Sequence, residues 1–586
     1  MKYQSLSYYL QKSEKLNSHQ LDKAKKIAIL GNYTLDGLGD VLKVFCSENN
    51  LNIQVHQSSY NQYRQEIINT NSEWNKFKAH LTFIILDFDS LIGDTKFNFY
   101  SLSEKKREKT INQICNEIKE LFSMALTKQN GKLVVSNFIP PTFSPLGIYD
   151  AKTRFSLKDF VNSLNESIKQ LAMKNDSLYI LEMDAFFQKY GRLNLTNEKM
   201  RFLADMKISP SFLPALADHL MCFIKPLFGN IRKCLVLDLD NSLWGGIIGE
   251  DGLDGIKLDN KPPGNAYLEF QKVILELYNR GIILTINSKN NLEDVKEVFK
   301  KHPFMVLKEH HFSSMYINWD DKASNLQSIA KDLNIGIDSL VFWDDDPVNR
   351  ELVTQRLPEV LVVDVPNDPS LYANTLRNLN DFNSFQITAE DRKKGQMYAS
   401  QLHRKSSEKK FSNIDDFLAS LNMEVTIKNP DNFTIPRISQ LTMKTNQFNL
   451  TTKRYSEEDI KKMANTDKYL IRTFSVIDKF GDNGLTGLYI INKENKQRWK
   501  IDTFLMSCRI MGRNVEKVML NDLIENAKRE NIQELIGHYY PTKKNPVTKD
   551  LYSNFGFSRK SDTDYVLEIP QFEKEQISYI KTSIKK

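Results

Sequence analysis

Short runs of branched apolar residues that end in polar ones alternate with helix-period stretches from about residue 25 to about residue 365. That alternation predicts parallel sheets covered by helices. The first set of runs is Lys25–Leu30, Leu51–His56, Leu81–Asp87 and Lys132–Phe138, with helical patterns over Leu38–Glu48 and Glu104–Lys128, and it predicts an α/β domain over residues 1–225. A second set, at 234–240, 282–288, 339–345 and 360–365, is separated by helical patterns at 265–280, 291–301 and 321–333. Each crossover has room for a right-handed helix, which predicts a second α/β domain over 230–370. Residues 371–420 are charged and helix-prone, and Arg392-Lys-Lys and Arg404-Lys-Ser-Ser-Glu-Lys-Lys read as an exposed linker or surface helix. Beyond them the period changes to antiparallel strands at Glu424–Ile427, Leu470–Ile477, Gly484–Ile491 and Arg498–Met506, with late helices near 513–530 and 545–555. These make an α+β domain over 421–570, followed by a basic tail over 571–586.

The run with the most chemistry is Cys234-Leu-Val-Leu-Asp238-Leu-Asp240-Asn-Ser242-Leu-Trp244-Gly-Gly. A buried strand opens here onto two alternate carboxylates, which its period of two puts on one side near its tip. Carboxylates that close repel each other and require a cation or a shared proton. A hard, oxygen-seeking ion such as Mg²⁺ answers this, and phosphate chemistry comes with it. Ser288 closes the second strand of this domain, Lys322 starts a helix after Asn318-Trp-Asp-Asp, and Asp344-Asp345-Asp346 closes the third. Polar side chains at successive carboxyl ends of one parallel sheet converge. In this reading Asp238 is the nucleophile, Asp240 is general acid then base, and Ser288 and Lys322 hold phosphoryl oxygens. The metal falls to Asp238, Asp344, Asp345 and Asp240, the last through its backbone carbonyl. Only 49 residues separate Asp238 from Ser288 and 33 separate Ser288 from Lys322, so no cap domain fits in those gaps. A hairpin from Gly245-Gly246 to Gly255, rooted at Trp244, is the one local lid, and the glycines fit a plain turn as well.

Eighty basic against 73 acidic side chains give a net charge of +7 with no basic block that would demand nucleic acid. The five cysteines (Cys46, Cys115, Cys222, Cys234 and Cys508) lack CxxC spacing, so neither a zinc site nor a disulfide framework is expected, in keeping with a reducing cytoplasm. No apolar run reaches the roughly 18 residues of a membrane helix, and a soluble, cytoplasmic protein is expected. In the third domain, Met506-Ser-Cys508-Arg509-Ile-Met-Gly512-Arg513-Asn514 runs from a strand end into a helix start. Arg509, Arg513 and a helix N-terminus around Cys508 would favour a thiolate able to accept and pass on an acyl group. A small buried residue is the plain alternative, and Cys46, Cys115, Cys222 and Cys234 read as core.

Asp-Leu-Asp-Asn-Ser, Ser288, Lys322 and Asp344-Asp345 resemble, in order, the four motifs of the haloacid dehalogenase (HAD) superfamily phosphatases. The longer string Leu-Asp-Asn-Ser-Leu-Trp-Gly-Gly-Ile-Ile-Gly-Glu-Asp-Gly resembles the FkbH-like branch, as do Ser288-Lys-Asn-Asn, Asn318-Trp-Asp-Asp-Lys322, Lys444-Thr-Asn-Gln-Phe-Asn-Leu-Thr-Thr-Lys453-Arg454-Tyr455 and Pro541-Thr-Lys543-Lys-Asn545. Ser242 stands where that branch usually has Thr, and Asp346 where it usually has Asn. Arg509-x-x-Gly512-x-Asn514, with Arg513 inside it, is similar to the loop with which GNAT acyltransferases hold pyrophosphate and pantetheine, and Tyr552-Ser-Asn-Phe-Gly556-Phe557 resembles a late signature of the same fold. The N-terminal domain carries Asn32, Thr34, Asp87, Asp89 and Asn137 at its strand ends, as an SGNH-like hydrolase would, although turn formers and caps explain them better.

The expected fold is therefore an SGNH-like α/β domain, an uncapped HAD Rossmann-like domain and a GNAT-like α+β domain. The FkbH-like resemblance implies a Mg²⁺-dependent phosphatase that is also an acyltransferase. It would take a glyceryl unit from 1,3-bisphosphoglycerate, a phosphorylated three-carbon acyl donor, remove its phosphate and load it as a thioester on a phosphopantetheinylated acyl carrier protein for polyketide-type biosynthesis. Lys444, Asn446 and Arg454 are fit for a phosphopantetheine or a phosphoglyceryl phosphate, and a solvated loop explains them nearly as well. The alternatives are a plain phosphatase whose third domain only binds, and a carrier-protein docking scaffold with an inactive HAD domain.

Overall fold

The computed structural model describes residues 3–16, 24–129, 131–395, 397–398, 400, 404, 407, 411–542, 544–572 and 577–585. Lys543 and most of the segment 401–410 lie outside the described residues. The chain divides into two compact units, Met1–Phe228 and Gly229–Lys586.

In the first unit β1 (Lys25–Gly31), β2 (Ile53–Gln57), β3 (Leu81–Ile85), β4 (Lys132–Ser136) and β5 (Leu178–Leu181) form a parallel sheet in the order β2-β1-β3-β4-β5. The helix Glu104–Lys128 presents Ile111, Cys115, Ile118 and Phe122 to the same core as Leu30, Ile84 and Val135, at the three- and four-residue spacing that puts side chains on one helix face. The helix Leu157–Met173 covers the same face of the sheet and begins at a capping box made by Ser156 and Asp159. β5 is a four-residue edge strand, too short to give a periodic signal in the sequence.

The second unit opens with β6 (Cys234–Leu237), β7 (Ile283–Ser288), β8 (Phe312–Ile317), β9 (Leu340–Trp343) and β10 (Leu361–Val362), all parallel, in the order β10-β9-β6-β7-β8. β6 reads out the period of two: Leu235 and Leu237 join a core with Phe270, Ile286 and Trp343, while Cys234 and Val236 face Leu326, Ile329 and Phe342. β8 was absent from the expected elements because Ser313 and Ser314 interrupt its apolar run, although both are buried. β6 and β9 stop at Leu237 and Trp343, shorter than expected, because the chain leaves the ladder where the carboxylates begin.

Eight further strands make one sheet in the order β16-β17-β15-β14-β13-β12-β11-β18. They are β11 (Met423–Lys428), β12 (Tyr469–Asp478), β13 (Gly481–Lys493), β14 (Arg498–Met506), β15 (Glu534–His538), β16 (Ser558–Arg559), β17 (Asp564–Glu568) and β18 (Ile580–Lys585). β14 and β15 run parallel but pair only over Arg498–Lys500 and Glu534–Ile536. Farther along, the segment Phe448–Leu450 takes up their free backbone groups: Met506 N–H donates to Phe448 C=O, and Tyr540 N–H to Leu450 C=O. This brings the loop after the helix Ile435–Lys444 to the end of β14, where Cys508 lies.

Two expectations need correction. The supposed basic tail supplies β18, which pairs in parallel with the whole of β11. Arg404, read as exposed, is buried and ion-paired with Asp478 at 2.7 Å. A guanidinium inside the protein requires such a carboxylate, and a charge count along the sequence does not reveal it. The phosphatase-like and C-terminal parts accordingly belong to one compact unit rather than to two bodies on a linker.

Candidate active site

Four carboxyl-terminal strand ends or following loops supply the site. Lys322 is the first residue of the helix Lys322–Leu333, whose cap is Asp321 accepting from Ser324 N–H. The helix Pro347–Arg356 is capped by Asp346 and opened by Pro347, which fixes the turn carrying Asp344 and Asp345. Asp346 thus keeps the capping role that an Asn would have.

The Lys322 ammonium is buried and makes three contacts: Asn287 C=O at 2.6 Å, Asp238 Oδ1 at 2.8 Å and Asp344 Oδ2 at 3.2 Å. Burial disfavours its charge, but Asp238 and Asp344 outweigh that and raise its pKa. Asp344 is pushed up to about 6 by burial and by Asp238, with Lys322 opposing. Asp345 is pushed up to about 7 by burial and by the charges of Asp238 and Asp344. Ligand oxygens of Asp238, Asp344 and Asp345 lie within 4.8 Å of one another. Asp238, Asp344 and Asp345 bring three carboxyl groups together where Lys322 pairs with only two, and an all-oxygen donor set of this size fits Mg²⁺.

The Asp240 side chain is not among the three carboxylates of that cluster. Its Oδ1 accepts from Trp244 Nε1 at 2.9 Å and Ile248 N–H at 3.1 Å, and its Oδ2 from Asn290 Nδ2 at 3.0 Å. Burial raises its pKa against the pull of these donors. The Asp240 carboxylate is thus outside the group of Asp238, Asp344 and Asp345. Ser288, buried at the end of β7, accepts from Asn290 Nδ2 at 3.2 Å. Asn290, which the sequence reading missed, therefore ties Asp240 to Ser288. The string Ser288-Lys-Asn-Asn contained it, but nothing in that string distinguishes a tie from a turn residue. Ser242 donates to Asp345 at 3.3 Å. In place of a full hairpin, Gly245 and Lys257 pair as a single bridge around a short helix, Ile248–Gly255, whose first N–H holds Asp240.

The strand-end residues of the first unit are engaged locally. Asn32 and the backbone of Asp87 exchange two hydrogen bonds, Asp87 caps Ser90 and faces Lys207 at 3.5 Å, and Asn137 donates to Asp184 at 2.5 Å. Thr34 donates to Ala204 C=O at 2.6 Å, and Asp89 pairs with Lys96 at 3.1 Å.

In the C-terminal part, Cys508 starts a 3₁₀ turn, half-buried, with its Sγ 3.6 Å from Tyr398 Oη. The cations expected to surround it have other partners. Arg513 is paired with Asp478 at 2.9 Å and donates to Arg509 C=O, while buried Arg509 donates to Ser507 Oγ at 3.3 Å and lies against Met397 Sδ. Gly512 and Asn514 adopt left-handed conformations (φ 75° and 60°), and Asn514 stands before the helix Val515–Arg529 with its side chain on Tyr579. Of the other three residues expected to meet phosphate or pantetheine, Lys444 reaches Asp391 at 3.5 Å, and Arg454 donates to Asn446 at 2.7 Å.

This is the site of a HAD-type phosphatase domain. Residues 26–225 match the family model "FkbH, N-terminal domain". The N-terminal part of the protein BF1531 from Bacteroides fragilis, described as containing a phosphatase domain complexed with Mg, is similar to this chain over 66% of its length and 100% of that structure, with 28% identity and a TM-score of 0.59. A C-terminal part matches smaller structures. They include the ribosomal-protein-S18-alanine N-acetyltransferase of Escherichia coli (12% identity, 26% of this chain and 99% of that one, TM-score 0.21) and the spermidine N-acetyltransferase SpeG of Vibrio cholerae (16% identity, 25% and 95%, TM-score 0.20). No curated protein matches the chain significantly.

Proposed function

We propose that the protein is a Mg²⁺-dependent phosphatase and acyl transferase that strips phosphate from a phosphoglyceryl unit derived from 1,3-bisphosphoglycerate and loads the unit as a thioester on an acyl carrier protein. The observation that carries the phosphatase half is the Lys322 ammonium held between Asp238 and Asp344 at 2.8 and 3.2 Å.

Asp238 attacks phosphorus, the bond to the substrate oxygen breaks, and protonated Asp240 gives that oxygen its proton. Asp240, now a carboxylate, then takes a proton from water as the water attacks the aspartyl phosphate, which releases phosphate and restores Asp238. Burial, which raises the Asp240 pKa, suits it to begin as the acid. Lys322 and Ser288 bind phosphoryl oxygens, and Lys322 holds Asp238 in place. Mg²⁺, held by Asp238, Asp344, Asp345 and the Asp240 carbonyl, would neutralise charge on the phosphoryl group.

Exposed apolar residues favour a substrate borne on a macromolecule. Ile247, Leu292, Trp319 and Val348 follow β6, β7, β8 and β9, the strands whose ends hold the site, and are 40%, 40%, 71% and 71% exposed. For the transfer half, the Cys508 sulfur would attack the acyl carbon of an acyl phosphate, the carbon–oxygen bond would break, and phosphate would leave with the electron pair and the thiol proton. The carrier thiol would then displace Cys508. The test is mass spectrometry of a phosphopantetheinylated carrier protein incubated with this protein, Mg²⁺ and 1,3-bisphosphoglycerate. A glyceryl mass gain is expected. No gain with any acyl phosphate tried would remove the transfer half.

A further inference from the structure

At the opposite end of the β6–β10 sheet from Asp238 lies a cavity of about 470 Å³, lined by Lys233 and Ser339, which precede β6 and β9, and by Tyr398, Lys444, Ser507 and Cys508. Six cations line it: Lys233, Lys394, Arg437, Lys444, Arg509 and Lys544. Four carboxylates answer them. Asp338, paired with Lys544, and Glu359 are on the wall. Behind the wall Asp391 is shared by Lys444 at 3.5 Å and Lys394 at 3.8 Å, and Glu390 holds Arg437 at 2.7 Å. With all six charged, two positive charges are left over.

Asp391 has no capacity for more donors: it also accepts from Thr388 N–H, Thr388 Oγ1 and Gln440. Among the described residues Arg509 has no carboxylate in ion-pair range. A half-buried surplus of cations beside a cavity of substrate size is costly unless an anion enters. The strain registers on Lys394, whose amine is brought down to about 7 by burial and by Lys444, with Lys233 and Arg437 adding to the effect and Asp391 opposing it.

We propose that this cavity is a second phosphate site, which seats a phosphate ester anion beside the Cys508 thiol. The two sources of that group are a phosphorylated acyl donor, whose monoester is a dianion, and the phosphopantetheine arm of a carrier, a diester with a single negative charge; both answer the cavity's surplus of positive charge. The phosphatase centre lies five residues along β9, from Ser339 to Asp344, or about 16 Å at the rise of a strand. One small phosphate ester cannot occupy both sites. Binding beside the thiol and hydrolysis at Asp238 are therefore separate events, joined only by release and rebinding or by a long arm. The site rests on the proposed transfer reading only for the role of Cys508; its charge and cavity stand without that role.

The test uses the full-length Asp238→Asn protein in EDTA, so that the phosphatase centre neither turns over nor holds metal. The rate of Cys508 alkylation by iodoacetamide is followed by peptide mass spectrometry with 3-phosphoglycerate, with 4′-phosphopantetheine and with inorganic phosphate. Slowing by 3-phosphoglycerate assigns the site to the donor, and slowing by 4′-phosphopantetheine assigns it to the carrier arm; either supports the proposal. Adding Lys444→Gln should weaken the protecting ligand about tenfold or more, as expected for the loss of one charged hydrogen bond, and Lys444→Arg should retain it. Lys544→Gln, at a half-exposed position, gives a second variant with the same expected direction should Lys444→Gln fail to fold. Absence of protection by all three probes, or equal protection in the glutamine variants, overturns the proposal. Protection without acyl gain on the carrier would leave this site standing and remove the transfer reading; acyl gain without protection would remove this site alone.

Discussion

The two parallel sheets end alike and differ in how their polar ends are partnered. β1, β3 and β4 finish in Asn32, Asp87 and Asn137, and every one of those side chains is bound by its own turn, cap or neighbouring loop. β6, β7 and β9 finish in Asp238, Ser288 and Asp344, where two carboxylates share a single buried ammonium and a third, Asp345, lies beside them. A polar strand end becomes a site when its charge is left unbalanced by local partners. One that its turn fully satisfies is scaffold.

That contrast breaks most sharply at Asp238. Asp238→Asn should lower phosphate release by about 10³-fold or more, as loss of a nucleophile does, whereas Asp87→Asn should leave phosphate release alone and lower the melting temperature. The next largest effect is expected at Lys322. Lys322→Met removes the cation between Asp238 and Asp344 and should cost about 3–5 kcal/mol of metal-free stability in denaturant unfolding, part of which Mg²⁺ restores.

Asp391→Asn should cost a similar or slightly smaller amount, about 3 kcal/mol, because Lys394 and Lys444 lose their shared partner. Burial works against ionisation of Asp391, but Lys444 and Lys394 outweigh it and hold its carboxyl well below the usual range. A depressed folded-state pKa stabilises above the unfolded value. This contribution is complete above about pH 4 and fades as pH falls below it, so the penalty of Asp391→Asn should shrink in acid melts. Trp319→Ala should raise KM for a carrier-borne phosphate ester about tenfold, with a smaller effect on an aryl phosphate. The smallest effect is Asp87→Ala, about 1 kcal/mol for a lost cap bonded to Ser90.

Much of the phosphatase-like domain was legible because its signals are local. Branched runs gave β6, β7 and β9, and carboxylates placed one residue past β6 and β9 gave Asp238 and Asp344. β8 was hidden by two buried serines, and β5 by its length. Asn290 was invisible because its value comes from bridging Asp240 and Ser288, contacts made only after β6 and β7 lie side by side. The partners of Cys508 and its neighbouring arginines were hidden for the same reason. Sequence neighbours Arg509 and Arg513 turn to other partners, and Tyr398, about a hundred residues upstream, reaches the thiol instead.

The central claim is that Asp238 attacks phosphorus. Rapid-quench mass spectrometry of the peptide containing Asp238, after mixing the protein with Mg²⁺ and a phosphate ester, tests it most directly. A transient gain of one phosphoryl group on Asp238, absent in Asp238→Asn, is the predicted result. Phosphate release by Asp238→Asn at the wild-type rate would contradict it.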